Sequence, residues 1–265
     1  MSEHTLPLDE ILLDAISWAR QAGAVHMRYF RGNELDITAK LNDADIVTAA
    51  DKAAERLIID SVNAKYPDHS ILSEESGETV HAPGFRWVID PLDGTTNFSQ
   101  GLPIFSVSIG VEYEGRPVVG VVYDAYLDEL FHAVEGRGAF LNGNPVHCAE
   151  KTSLEQAVVS TGFPVDKGDT PDNNLDNLSR IMPRVRGLRR LGSAAMDICY
   201  VGAGFLDGYW ELNLHRWDVS AAMLILSEAG GVCTEFRHDR NISLVAGSPA
   251  IHDLLLPLLS TSPAQ

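Results

Sequence analysis

Three acidic clusters in this 265-residue chain could do chemistry together. Glu74-Glu75 follows the apolar pair Ile71-Leu72, Asp90 and Asp93 follow Trp87-Val88-Ile89, and Trp217-Asp218 enters a helical pattern. Short apolar runs leading straight into acids read as strands that deliver carboxylates at their C-terminal ends. Carboxylate oxygens suit hard divalent cations, and Mg2+ keeps part of its water shell while sharing phosphate oxygens. Two acids three residues apart across a Pro-containing turn can converge on one ion or bridge two. Paired ions can clamp the attacking and leaving oxygens of a phosphoryl displacement. Next in the chain, Gly94-Thr95-Thr96-Asn97 offers a glycine that lets backbone approach a ligand. If Thr95 and Thr96 open a helix, their N–H groups would cradle phosphate, and the Thr95 hydroxyl could orient a metal-bound water.

Each motif also has a purely structural explanation. Asp-Gly is a common turn dipeptide, and Thr48-Ala49-Ala50-Asp51 reads as a capping box with Asp in place of Glu. Glu74-Glu75 could be a solvated turn, while Trp-Asp belongs to propeller repeats, of which the chain shows none. The case rests on the clusters occurring together.

Composition narrows the partners. Against 20 Lys and Arg stand 37 Asp and Glu, a formal charge of −17, which repels nucleic-acid backbone and anionic membrane. Anionic phosphates would need a local positive charge, and bound cations supply one. Cys148, Cys199 and Cys233 are widely spaced, against a disulfide framework or structural zinc. With no secretory signal and no membrane-length apolar run, a cytoplasmic enzyme is expected.

The elements that must position the acids follow from periodicity. Leu8, Leu12, Ala15, Ala19 and Ala22 mark a helix ending near Gly32; a second begins around Thr48 with Ala54, Leu57, Ile58 and Val62 inward. From Phe105 to His147 the pattern has period two with turns at Glu114-Gly115 and Asn142-Gly143, an antiparallel meander. A strand over 157–161, a polar loop over 166–176, a helix over 193–203, a strand over 208–212 and a helix over 219–228 follow. The expected architecture is α+β followed by α/β, with helices covering both sheets.

At this level the chain resembles the inositol monophosphatases. The resemblance is carried by Asp45-Ile46-Val47-Thr48-Ala49-Ala50-Asp51, by Leu72-Ser73-Glu74-Glu75-Ser76 and by the segment Trp87 to Phe98. Arg189-Arg190-Leu191-Gly192-Ser193-Ala194-Ala195, Trp210-Glu211 and Trp217-Asp218-Val219-Ser220-Ala221-Ala222 extend it, so it runs from about residue 10 to 250. It implies a layered αβαβα sandwich, an antiparallel sheet followed by a second mixed sheet, usually dimeric and inhibited by lithium. The expected halves are 1–148, carrying most metal ligands, and 149–265, carrying Asp218 and substrate contacts, packed as one unit.

The resemblance also implies two to three Mg2+ ions. Glu74, Asp90 and the Leu92 carbonyl would bind the first, Asp90, Asp93 and Asp218 the second, and Glu74 would touch a third. Asp51 and Thr95 would activate the attacking water, with Glu74 beside them among the catalytic residues. Gly94 and Thr95 would hold phosphate; Arg189, Glu211 and the Gly192-Ser193-Ala194 backbone would contact the alcohol; Lys40 would lie in a flap. The implied reaction is direct hydrolysis of a small phosphate monoester, inositol monophosphate first. Histidinol-phosphate, nucleotide 3′-phosphate and fructose-bisphosphate are the alternatives. The turn after Cys233-Thr234-Glu235-Phe236 is shorter than the family pattern, and the loop 166–176 departs from it.

Two other readings compete. A haloacid-dehalogenase chemistry needs a nucleophilic Asp two residues before its acid–base Asp, whereas Asp90 and Asp93 are three apart around a proline. A regulatory binding protein on a phosphatase scaffold has no need for Glu74, Asp90, Asp93 and Asp218 together.

Overall fold

A computed structural model describes residues 6–32, 37–39, 46–81 and 83–262. Two long helices open the chain, α1 (Leu8–Tyr29) and α2 (Ala49–Lys65), separated by the short strands β1 (Thr38–Ala39) and β2 (Ile46–Val47). An eight-stranded sheet follows, built from β3 (Ser70–Ser73), β4 (Gly77–Thr79), β5 (Phe85–Asp93), β6 (Ser106–Tyr113), β7 (Arg116–Asp124), β8 (Glu129–Val134), β9 (Ala139–Leu141) and β10 (Asn144–Val146). The short helix α3 (Thr95–Ser99) leaves β5 directly. The meander expected from the period-two pattern is present, with Asn142-Gly143 turning β9 into β10.

One pairing in this sheet differs from the antiparallel expectation. β3 and β5 run parallel, so the first sheet is itself mixed. The pairing has a physical consequence: parallel neighbours end at the same edge, so the acids after Leu72 and after Ile89 emerge side by side. Asp90 to Asp93 also lie within β5, not in a turn beyond it. A regular strand would face residues 90 and 93 to opposite sides. Instead Asp90 pairs with Ser108 and Asp93 with Ser106, three steps against two, a β-bulge that changes the alternation.

The second sheet has the order β12 (Gly187–Arg189), β11 (Val158–Thr161), β13 (Gly208–Leu214), β15 (Ile242–Gly247), β14 (Val232–Arg237). Its helices are α4 (Leu175–Ile181), α5 (Ala194–Gly202), α6 (Arg216–Glu228) and α7 (Pro249–Leu255). α6 starts three residues before the expected Val219, because Asp218 accepts from the His215 N–H at 2.6 Å and closes its first turn. α4, α7 and β12 carry too few periodic apolar residues to be seen in the sequence.

Alternation within the strands sorts the side chains into three layers of core. Trp87, Ile89, Val107, Ile109 and Val121 pack under α1 and α2. On the opposite face Val122, Phe131 and Ala133 meet α5 and α6, which also cover Tyr209, Leu244 and Ala246 of the second sheet. The far side of that sheet buries Trp210, Leu212 and Val245 against Ile181 of α4 and Ile251 and Leu255 of α7. The result is the expected αβαβα sandwich. α6 sits close on β6 and β7 because Gly110 and Gly120 face it: a Cβ at Gly120 would meet the Ala221 carbonyl at 2.5 Å. That approach carries Asp218, at the start of α6, toward the ends of β3 and β5.

Candidate active site

Asp90, Asp93 and Asp218 come together at the edge where β3 and β5 end and α6 begins. Asp90 is buried, and its Oδ1 accepts from the Leu92 N–H at 3.0 Å. Asp93 reaches across to the middle layer, where Oδ2 accepts from Ser193 Oγ at 2.6 Å and from Ala195 N at 2.7 Å. Ser193 also caps α5 through Met196 N, so one carboxylate ties the first sheet to the start of that helix. Glu74 leaves β3 with its N–H on the Ile89 carbonyl at 3.2 Å.

These carboxyls hold one another in check electrostatically. Burial, and then the charges of Glu74, Asp93 and Asp218, push the Asp90 carboxyl well above the usual carboxylate range. Burial raises Asp93 to about 6 against the bonds from Ser193 and the α5 backbone, with Glu74 adding to the rise. Asp218 is raised by burial first, then by the Asp93 charge. Anions this close cannot all ionise in a dry site without a counter-cation. The donor set, all oxygen, suits Mg2+. Among the described residues no three His, Cys, Asp or Glu side chains form a ready-made cage for one ion. A shell would therefore draw on backbone carbonyl, water and substrate oxygens, as Mg2+ sites usually do.

Asp51 stands one layer away, at the third position of α2. Its Oδ2 accepts from Thr48 N at 2.9 Å and Thr48 Oγ1 at 2.6 Å, which makes the capping reading correct. Its Oδ1 lies 3.1 Å from Thr95 Oγ1, which is also 3.0 Å from the Leu92 carbonyl. The cap and the Thr95 contact use different oxygens, so one residue does both. Burial lifts Asp51 to about 6, opposed by the hydrogen bonds from Thr48 and Thr95. Beneath this corner Leu92, Phe98, Phe105 and Ala50 form a small apolar floor with Phe30. His26 stands edge-on to Phe98 and Phe105, both at 5.9 Å, and burial lowers it to about 4. Gly94 turns the chain with φ of 94°, and a Cβ there would meet the Ile104 carbonyl at 3.0 Å.

A cavity of about 140 Å³ opens beside the carboxylates, lined by Asp93, Asp218, Gly192, Ser193, Ala194 and Glu211, with Gly162, Arg190, Asp197 and Leu214 completing it. Glu211 lies over the Gly162 backbone and accepts from the Tyr209 hydroxyl. Burial raises Glu211 to about 7, while the Tyr209 bond and the Arg190 charge oppose the rise. Asp197 is buried on α5 and pushed well above its ordinary range by burial. Arg190, not the expected Arg189, lines the cavity. Arg189 ends β12 paired to Ser160, and its guanidinium bonds back to the Leu188 carbonyl, so alternation sends its neighbour to the cavity. Lys40 lies outside the described residues. Asp197 had a readable signal, an acid inside the apolar run Ala194 to Val201; Arg190 had only its place next to Arg189.

The two segments that depart from the family pattern touch each other. Arg237 forks onto Asp172 at 2.7 and 2.8 Å, and Arg240 Nη2 donates to both carboxylate oxygens of Asp166 at 2.9 and 2.7 Å. The loop so held inserts Asn174, whose Nδ2 donates to the Gly162 carbonyl at 2.7 Å and whose Oδ1 accepts from Trp210 Nε1 at 2.9 Å. Gly162 underlies Glu211, and Trp210 precedes it. The short turn and the polar loop thus brace the cavity floor together.

Fold and site define a class, and comparison with known proteins gives it a name. The sequence profile of the inositol monophosphatase family matches residues 8–264. Nus factor SuhB of Pasteurella multocida is 42% identical over 250 residues, 92% of this chain and 93% of that protein. An inositol-1-monophosphatase of Synechocystis is 42% identical over 77% of this chain and 72% of its own. Among solved structures, the inositol monophosphatase of Anabaena superposes with a TM-score of 0.85 at 37% identity, covering 97% of each chain. The chain belongs to the inositol monophosphatase family, and its enzyme class is that of the phosphomonoesterases. Among the described residues no helix is long and apolar enough to cross a membrane.

Proposed function

We propose that the protein hydrolyses a small phosphate monoester with the help of Mg2+, with myo-inositol 1-phosphate the first candidate. The observation that carries this reading is the gathering of Asp90, Asp93 and Asp218 beside the hydrogen-bonded Asp51–Thr95 pair. Glu74, Asp90, Asp93, Asp218 and the Leu92 carbonyl would hold the ions. When bound, these would neutralise charge on the phosphoryl group and acidify a nearby water. The Thr95 hydroxyl orients the attacking water toward phosphorus and takes a proton from it while passing its own to Asp51; the alcohol oxygen leaves with the bonding pair and is protonated by solvent. A carboxyl lifted to about 6 is basic enough to take a proton near neutral pH. Gly94 and Thr95 hold the phosphate through backbone N–H groups. Glu211, Arg190 and the Gly192-Ser193-Ala194 turn receive the alcohol.

The test is phosphate release from myo-inositol 1-phosphate, histidinol phosphate, fructose 1,6-bisphosphate and adenosine 3′,5′-bisphosphate, with Mg2+ and with or without Li+. Fastest release from the inositol ester, blocked by Li+, is the expected result; no release from any substrate overturns the reading. The name of the Pasteurella relative favours a second reading, a binding role on the same scaffold. That role would survive Asp93→Asn, whereas hydrolysis would not.

A further inference from the structure

We propose that Glu55 is the positioning residue that fixes Glu74 relative to Asp51. The inference rests on reading Glu74 as an ion ligand. Glu55 lies on α2 four residues after Asp51, one turn further along the same face, and is 5% exposed. Its carboxylate is spent on the turn that follows β3. Oε1 accepts from Ser73 Oγ, from Glu75 N at 3.1 Å and from Ser76 N at 3.0 Å; Oε2 accepts from Ser76 Oγ at 2.6 Å.

The donors at 73, 75 and 76 bracket residue 74. Behind it, the Glu74 N–H is fixed to the Ile89 carbonyl of β5. The Glu74 backbone is therefore held from two sides, by the strand that carries Asp90 and by the helix that carries Asp51. Four hydrogen bonds converging on one side chain, two from backbone N–H groups and two from hydroxyls, hold the turn in one shape. Such a clamp aims an ion ligand in the way that hydrogen bonds behind other metal ligands do. A solvated Glu-Glu turn would need none of it.

The test uses the full chain with Glu55→Ala, Glu55→Gln and Ser76→Ala, and Glu228→Ala as control. Glu228 also clamps a turn, accepting from Gly136 N at 2.8 Å and Gly138 N at 2.7 Å, at residues that do not line the site. Mn2+ affinity is measured by calorimetry, alongside half-saturating Mg2+, KM at saturating Mg2+ and the thermal midpoint. Glu55→Ala should weaken Mn2+ binding by roughly tenfold to a hundredfold and raise half-saturating Mg2+ in parallel, with KM unchanged. Glu55→Gln, which keeps the oxygen facing three donors, should recover most of the affinity. Glu228→Ala should lower the thermal midpoint and leave affinity alone.

Wild-type Mn2+ affinity in Glu55→Ala, or a loss no larger than in the control, overturns the proposal. If Glu55→Ala does not fold, Ser76→Ala decides instead: it should weaken Mn2+ binding by roughly several-fold, and wild-type affinity there overturns the proposal. A Glu74→Gln variant that binds Mn2+ like wild type also overturns it, through the ligand assignment. Absence of phosphate release from wild type would defeat the catalytic reading alone, because the calorimetry decides Glu55 without turnover.

Discussion

The carboxylate edge of the first sheet and the cavity floor of the second sheet solve opposite electrostatic problems. At the edge, Asp90, Asp93 and Asp218 crowd together and are held by backbone N–H groups and hydroxyls, which fix direction while leaving the negative charge in place. On the floor, Arg190 faces Glu211 and Asp197, and the supporting loop is clamped by two Arg–Asp pairs. One region keeps charge available for a cation; the other neutralises it to build a rigid surface. Under the proposed function, the edge would govern ions and water and the floor the fit of the alcohol.

The sharpest way to break this division is Asp93→Asn. Turnover should be lost, with the apo thermal midpoint unchanged or higher because a repelled charge is gone; near-normal phosphate release would sink the edge assignment. Asp51→Asn should lower kcat by roughly a hundredfold to ten-thousandfold and leave KM nearly unchanged. A fall in KM-dependent selectivity instead would move Asp51 out of the water-activating role. On the floor, Arg237→Ala leaves Asp172 with Arg240 alone, at 3.3 Å, and should cost about 2 kcal/mol of stability by denaturant titration. In the same variant KM should rise and discrimination among alcohols fall, with half-saturating Mg2+ as in wild type. A shift in Mg2+ dependence would show that the two regions are not separable.

A pH test probes the apolar support under the edge. His26 is lowered to about 4 when folded, so the folded state stays neutral while the unfolded chain gains a proton below the ordinary 6.5. The His26 contribution is therefore lost as pH falls from 6.5 toward 4, while the raised carboxyls of Asp51, Asp93 and Glu211 act in the opposite direction, so the test is a difference between variants. Relative to wild type, His26→Leu should gain about 2 kcal/mol between pH 7 and 5 in chemical denaturation. The smallest effect expected separates two neighbours: Arg190→Ala should change KM by a few-fold, on the order of 1 kcal/mol, and Arg189→Ala should leave it alone.

The sequence made the acids legible because each follows a short apolar run, and it made the two long helices and the meander legible through period. Asp51 could be read as a cap from Thr48, and the structure adds that its other oxygen meets Thr95. What could not be read were properties of pairing. The parallel pairing of β3 with β5 leaves no periodic trace, nor does the bulge between Asp90 and Asp93. Long-range partners were equally silent: Arg237 lies 65 residues from Asp172, and Asn174 lies 36 from Trp210. Glu55 had a faint signal, an acid next to inward Ala54 and Ile58, whose purpose appears only when the turn of residues 73–76 is in place.

The bulge in β5 has a further consequence, one of counting. With an even number of residues between two positions in a strand, the positions face apart; the extra residue here cancels that parity and lets Asp90 and Asp93 share a side. Shortening the Pro91-Leu92 step by one residue would pull β5 into regular register and conserve every acid in the chain. It would also withdraw the Leu92 carbonyl or its neighbour from the corner where Thr95 stands. The two acids would still face one way, with one residue between them instead of two, but the corner would lose a carbonyl, so the length of this step matters to the site as much as the identity of the acids.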